Sequence, residues 1–436
     1  MSHVHVNQTD PNAFLVLLTE AISRVRAKDQ ALGLLVIHLE NFDRLVSAFG
    51  YRMGSKVITA FAECLAGTVR PQDAVIRISD SKFAVIISPL STKGIVILAA
   101  NKISQILAQP IPIGPHNVIA ALRIGISTTP EDGTEAEDLL QHAETALLSA
   151  IEEDTPYALY SEEQAERAFD SLGLELELDL AIKRGEFELY YQPKISAVDL
   201  SPCGAEALLR WDNPKRGFVS PELFIPLADR AGRIEPLTAF VLNTALREAA
   251  EWPSEWGKLR VAVNVTPKVV EDSDLVGMVS SAMQLWDTSP DQLVIELTEG
   301  ALMRNPDKSF RVLAELRDAG THIAIDDFGT GYSSLSYFKN IPADELKIDK
   351  SFVINMFEDQ GDKQIVRAVI ELARSFDLKV TAEGVEDERT ASVLSSLNCD
   401  FLQGYYYSRP LPLKEFVAWL REYRGGIGPA AAQPGA

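Results

Sequence analysis

Eight short apolar runs punctuate the second half of this chain, and their rhythm leaves few folds open. They read FELYYQPKI, GAEALLRW, VAVNVT, LVIELTE, HIAIDDF, ELKIDKS, KVTAEGV and FLQGYYY. Each is far short of the ~20 apolar residues a membrane helix requires, and each is bounded by helix-compatible sequence. Eight strands alternating with helices at this spacing predict a TIM-like (β/α)8 barrel over residues 173–424.

The informative feature is where these runs carry polarity. A barrel strand is buried, and an ionised side chain inside is costly unless it is paired or bound to metal. Seven of the eight runs nevertheless hold polar residues: Glu206, Asn264, Glu296, Asp326 with Asp327, Lys347, Glu383 and Gln403. Barrel enzymes do their chemistry at the mouth formed by the C-terminal strand ends, so these residues converge on one candidate site. Strand alternation sends Glu296 and Glu299 to opposite faces, which leaves Glu299 to brace neighbouring loops. The same alternation puts Asn264 on a face with Ala262 and Thr266, small companions that leave room. Carboxylates and an amide without histidine or cysteine make a hard oxygen site, which favours Mg²⁺ or Mn²⁺ over zinc. Adjacent Asp326 and Asp327 allow one carboxylate to bridge two ions, the arrangement that promotes in-line phosphoester displacement. Taken singly, each acid is equally compatible with an ordinary ion pair to Lys347.

The first part of the chain reads as a separate α/β domain with a mixed sheet. A helix is expected over 11–30, where Phe14, Leu17, Leu18, Ala21, Ile22 and Val25 fall at helical spacing. Strands follow at 32–39, 74–79, 82–88 and 121–127, the middle pair forming a hairpin around Asp80 and Ser81. The expected organisation is an N-terminal helix (1–30), the α/β domain (31–155), a helical connector (156–172), the barrel (173–424) and a breaker-rich disordered tail (425–436).

Composition narrows the partners. Forty-one basic residues face 62 acidic ones, a formal net charge of −21. That repulsion disfavours nucleic-acid polymers and anionic lipid, while cations and a few arginines still admit a small phosphate ligand. Three scattered cysteines fit free thiols in a reducing compartment. With neither a secretory leader nor a transmembrane segment in view, the expected location is cytoplasmic.

At the polar residues the sequence resembles a known family. EALLRW, VNVTP, ELTE, DDFGTGYSSLSY, LKIDKSF, AEGVE and QGYYYSRP are similar, in order and spacing, to EAL-domain cyclic di-GMP phosphodiesterases. The resemblance implies hydrolysis of cyclic di-GMP to linear pGpG with two Mg²⁺ or Mn²⁺ ions. It implies that Glu206, Asn264, Glu296 and Asp326 hold the first metal and Asp326 with Asp327 the second, with Glu383 beside it. Lys347 would position the attacking water and Gln403 would lie near it. Arg210 would contact a substrate phosphate, with Gln192 and Glu386 near the ligand. Glu299 would brace the glycine-containing loop 328–340 and couple metal binding to homodimerisation through the barrel. The tyrosines Tyr405–Tyr407 are read as period-two strand packing in preference to a base-stacking platform.

The first domain resembles a GGDEF domain, the fold of diguanylate cyclases, but with its naming motif lost to Ser79-Asp80-Ser81-Lys82-Phe83. Ser81, Lys82 and His38 stand where the family carries acids, and Ser47 and Ser55 where it contacts guanine. The resemblance therefore implies a catalytically inactive domain in a regulatory or dimerisation role, open to a protein signalling partner. Arg70 and Asp73 match the loose RxxD pattern of an inhibitory cyclic di-GMP site, with a turn ion pair as the plainer reading. The leading expectation is an active phosphodiesterase. The alternative is a non-catalytic cyclic di-GMP receptor.

Overall fold

The computed structural model describes residues 4–5, 11–113, 116–329 and 340–423. The chain divides into two compact units, Met1–Gly173 and Leu174–Ala436.

The first unit is built on a six-stranded mixed sheet. Its order is Val4–His5, Ala74–Arg77, Lys82–Leu90, Ala31–Leu39, Leu122–Thr129 and Tyr157–Leu159. The central strand Ala31–Leu39 explains its own apolar run. Leu35, Ile37 and Leu39 pack into the core shared with helices Tyr51–Thr68 and Gly94–Leu107. Leu32, Leu34 and Val36 enter the opposite core with helices Pro11–Arg26 and Ala136–Glu152. With both faces covered, alternation disappears from the sequence. The hairpin at Asp80–Ser81 is present, pairing Arg77 with Phe83. The first helix stops at Arg26 instead of running to residue 30. Asp29 takes φ 51° there and the Gln30 N–H folds back to Val25 O at 2.9 Å. Nor does residue 155 end the sheet, because Tyr157–Leu159 adds a parallel edge strand beside Ile124–Ile126. Helix Glu162–Arg184 then carries the chain into the second unit, where Leu174, Leu178 and Ala181 are buried in its core.

The second unit is a closed barrel of eight strands. In order they are Phe187–Ser196, Pro202–Asn213, Arg260–Asn264, Leu293–Thr298, His322–Phe328, Glu345–Ile348, Lys379–Ala382 and Phe401–Gln403. It departs from a uniform (β/α)8 repeat at one place. The first strand runs antiparallel to both neighbours, the second and the eighth. Ser196 and Pro202 are too close in sequence for a crossover helix, so these two strands form a hairpin. The remaining neighbours pair in parallel. Outward residues such as Tyr191, Trp211, Val261, Ile295 and Ile325 pack beneath the surrounding helices as one core. Among the described residues, no helix is long and apolar enough to cross a membrane. The expected tail, 425–436, lies outside the described residues.

Candidate active site

Period-two alternation turns one residue of each strand into the barrel near its mouth. The ring so formed is Gln192, Glu206, Asn264, Glu296, Asp326, Lys347 and Gln403, joined by Glu383, which directly follows the seventh strand's last residue, Ala382. Two residues deeper, Ala262, Val294 and Ala324 pack together as a small apolar floor under the carboxylates.

Lys347 is the hub of the ring. It is completely buried, and its ammonium lies 2.6 Å from Glu383, 2.8 Å from Glu296, 3.1 Å from Asp326 and 3.4 Å from Glu206. Amides tie the rest together. Asn264 donates to Glu206 Oε1 at 2.7 Å, and Gln403 Nε2 donates to Glu206 Oε2 at 2.7 Å and Gln192 Oε1 at 3.2 Å. One ammonium with three protons cannot satisfy four carboxylates. The titration behaviour records the shortfall. Burial pushes Glu383 up to about 8 despite its contact with Lys347, with Asp326 and Glu206 adding to the rise. Burial likewise lifts Glu296 well above the ordinary carboxyl range, against Lys347 and with help from Glu206 and Asp326. For Glu206 the burial penalty is outweighed by Lys347, Gln403 and Asn264, and its carboxyl is held low. Burial opposes the charge on Lys347, yet its ring of acids holds its proton far more tightly than an ordinary lysine does.

Glu206, Glu296 and Asp326 each offer a carboxylate oxygen within 4.8 Å of the others, a gap suited to a divalent ion. An all-oxygen, partly protonated acid cluster is a fit for Mg²⁺ or Mn²⁺, whose charge would replace the missing neutralisation. Asp327 lies outside that tight trio. On a regular strand it would face away from Asp326, but pairing shifts between Ile325 and Phe328, and Asp327 adopts φ 53°. Its carboxyl is raised by burial and by Asp326, which marks it as part of the same field. Glu299 also corrects the simple alternation. The strand ends at Thr298 and Glu299 opens helix Glu299–Arg304, buried, with its carboxylate accepting the Gly329 N–H at 3.0 Å. Residues 330–339 of the expected loop lie outside the described residues.

A cleft of about 410 Å³ opens above the ring, lined by Glu206, Asp326, Glu383 and Gln403 together with Gln192, Arg210 and Glu386. Arg210 lies over the Tyr190 ring at 5.5 Å, and burial makes its charge harder to hold. Tyr405 lines this cleft too, which overturns its reading as strand packing. The strand ends at Gln403, so Tyr407 is buried while Tyr405 is 49% exposed.

One cluster escaped the sequence reading. Beneath Lys347, Glu345 receives both Lys194 contacts, at 2.7 and 2.9 Å, and the Thr381 hydroxyl, all of them buried. Alternation held the signal, since Lys194 follows Gln192 and Glu345 precedes Lys347 by two.

The first unit treats its charges differently. His38 Nδ1 lies 3.4 Å from Ser81 Oγ, and Lys82 pairs with Glu144 at 2.6 Å. Arg70 grips Asp73 through two nitrogens at 2.9 and 3.0 Å, while the backbone N–H groups of Arg70 and Ser88 fill the same carboxylate. Among the described residues, the three-acid cluster of the barrel is the one group of His, Cys, Asp and Glu gathered closely enough for a metal.

Comparison with known proteins places this geometry. The EAL domain model matches residues 175–410, more than half of the chain. The chain belongs to the EAL domain family. Ahead of the EAL domain, residues 11–155 match the diguanylate cyclase GGDEF domain model, so the two domains stand in tandem. MucR of Pseudomonas aeruginosa, described as a bifunctional diguanylate cyclase/cyclic di-GMP phosphodiesterase, is 34% identical over 95% of this chain and 61% of its own. NbdA of the same organism, a cyclic di-GMP phosphodiesterase, is 33% identical over 96% of this chain and 53% of its own. The chain thus spans 53–61% of the length of these relatives. A solved structure of the MucR phosphodiesterase with cyclic di-GMP superposes with a TM-score of 0.54 at 39% identity, covering 56% of this chain and 99% of that one.

Proposed function

We propose that the EAL domain hydrolyses cyclic di-GMP to linear pGpG, using two Mg²⁺ or Mn²⁺ ions. The carrying observation is the convergence of Glu206, Glu296 and Asp326 on one point at a barrel mouth, with too little internal cation to neutralise them. Asn264 would join these acids around the first ion. Asp326 and Asp327 would hold the second, with Glu383 beside it. When bound, the ions would activate a water and offset charge on the phosphodiester oxygens.

The chain's own groups supply the rest. Lys347, already within reach of four carboxylates, keeps the acid ring together and orients the water. Glu383, whose carboxyl burial pushes up to about 8 in the metal-free site, would give up that proton to a divalent ion bound beside it. Gln403 and Gln192 present amides on the substrate side, Arg210 offers a planar fork to a phosphate, and Glu386 lies at the rim. Glu299 fixes Gly329 and with it the start of the loop that follows. As water adds to phosphorus, the bond to the 3′-oxygen breaks and that oxygen takes a proton.

The same proposal assigns the GGDEF domain no cyclase activity, because Ser81, Lys82 and His38 replace the acids that would hold metal, and Lys82 is engaged by Glu144. Its place is regulation or dimerisation. Arg70 and Asp73 act as a turn clamp, since both Asp73 oxygens are already occupied. The test is turnover of cyclic di-GMP by the purified chain with Mg²⁺ or Mn²⁺, read by chromatography. Metal-dependent pGpG supports the reading. Tight binding without product under either metal makes the protein a receptor instead.

A further inference from the structure

The acid ring stands on a floor whose two halves differ in chemistry. Two residues deeper than Glu206, Asn264, Glu296 and Asp326 come Gly204, Ala262, Val294 and Ala324, all small or apolar. Two residues deeper than Gln192, Lys347, Glu383 and Gln403 come Lys194, Glu345, Thr381 and Phe401. The first three of these are buried and joined in one network. Lys194 Nζ donates to both Glu345 oxygens at 2.7 and 2.9 Å, and the Thr381 hydroxyl donates to the same carboxylate. The Phe401 ring lies 5.0 Å from the lysine nitrogen.

Unlike the ring above it, this network satisfies itself. Burial opposes both charges, yet Glu345 keeps Lys194 protonated, and Lys194 with Thr381 keeps Glu345 ionised. The pair is neutral as a whole and offers a cation nothing to neutralise. Stability alone is a poor reason to bury it, because well-packed apolar side chains usually do as well or better. Its position supplies another reason. Lys194 is paired with Gln403 across the barrel seam, and Thr381 is paired with Lys347. Gly204, opposite Lys194 on its other side, brings no side chain into the space the lysine stem crosses. Glu345 lies two residues below Lys347 on the same short strand, so the ion pair sets the height from which the Lys347 stem rises.

We infer that Lys194 and Glu345 are positioning residues for hydrolysis. Their buried pair, braced by Thr381, holds the strands carrying Lys347 and Gln403 at the spacing the attacking water requires, and takes no part in holding the ions. On the phosphodiesterase reading, on which this role rests, the pair acts on kcat. It leaves substrate and metal affinity alone, because it touches neither and carries no net charge. Residues that orient an active site from behind commonly contribute about 10-fold to 100-fold, and a misplacement of about 1 Å is enough for the larger figure.

The test is the full chain carrying Lys194→Met together with Glu345→Leu, which replaces the pair by apolar side chains. Its kcat for pGpG formation is expected to fall at least about tenfold. KM for cyclic di-GMP and apparent Mn²⁺ affinity stay within about threefold, and the melting temperature stays near that of the unaltered chain. A purely structural pair would give back turnover along with stability, so a kcat within about twofold overturns the inference. A loss lying wholly in KM or in Mn²⁺ affinity overturns it too. Thr381→Val keeps both ions and withdraws one donor, and it decides the matter if the double variant does not fold. Its kcat is expected to fall about threefold or more with KM unchanged, and an unchanged kcat overturns the inference. In a crystal structure of the double variant, Lys347 Nζ is expected to move by more than about 0.5 Å relative to its acids. If the unaltered chain makes no pGpG, the hydrolytic reading falls, and this displacement alone decides the positioning role.

Discussion

The EAL barrel mouth and the corresponding region of the GGDEF domain handle charge in opposite ways. In the barrel, four carboxylates crowd one ammonium, and Glu296 and Glu383 answer by retaining their protons more tightly. In the GGDEF domain, charges are largely paired off: Lys82 with Glu144, Arg77 with Asp80, Arg70 with Asp73, and Arg123 with both Glu40 and Asp154. A catalytic metal site is recognisable as charge that the chain does not cancel by itself. Around Ser81 and Lys82 of the GGDEF domain, by contrast, the neighbouring charges are already paired with one another.

The contrast is tested most severely at Glu206. Glu206→Ala is expected to lower pGpG formation by about a thousandfold or more, the scale on which metal-assisted charge stabilisation operates. Lys82→Ala should leave turnover within about twofold. Equal losses from both would erase the distinction.

A second test asks what happens when a balanced pair is broken inside the barrel. Lys194→Met leaves Glu345 buried without its cation and is expected to destabilise the EAL domain by about 3–5 kcal/mol in denaturant titrations. Lys194→Met combined with Glu345→Leu should recover most of that loss, since no lone charge remains.

The third test is pH. A cation entering the ring displaces the proton that Glu383 holds up to about 8. Apparent Mn²⁺ affinity is therefore expected to rise by up to about tenfold per pH unit below that point and to level off above it. In metal-free protein the sign reverses. Glu383 is ionised in the unfolded chain above the ordinary carboxyl value, so stability conferred by the protonated form is lost as pH rises through about 8. The smallest expected effect is on the surface pair. Removing Lys82 or Glu144, which are 29% and 37% exposed, should change stability by less than about 1 kcal/mol.

The barrel and its ring were legible because strand period two and barrel topology together fix where Glu206, Asn264, Glu296, Asp326, Lys347 and Glu383 must point. What was not legible depended on breaks in that regularity. The pairing shift at Asp326–Asp327 and the early strand end before Glu299 both redirect a carboxylate by local backbone geometry. Tyr405 escaped for the same reason, since its strand stops at Gln403 and alternation no longer applies. The antiparallel first strand is visible in hindsight as a connection too short for a helix. Lys194 and Glu345 went unnoticed because each sits in a run that reads as ordinary strand, and only the closed barrel brings them together.

That first strand also dictates when the mouth can exist during synthesis. Phe187–Ser196 is stitched to Phe401–Gln403 and to Leu411–Pro412, partners from the far end of the domain. Contacts so distant in sequence form late and slowly. The amide pair Gln192–Gln403 straddles this seam. A growing chain therefore carries its carboxylates on an open sheet until the last strand leaves the ribosome, and closure of the seam and completion of the acid ring are one event.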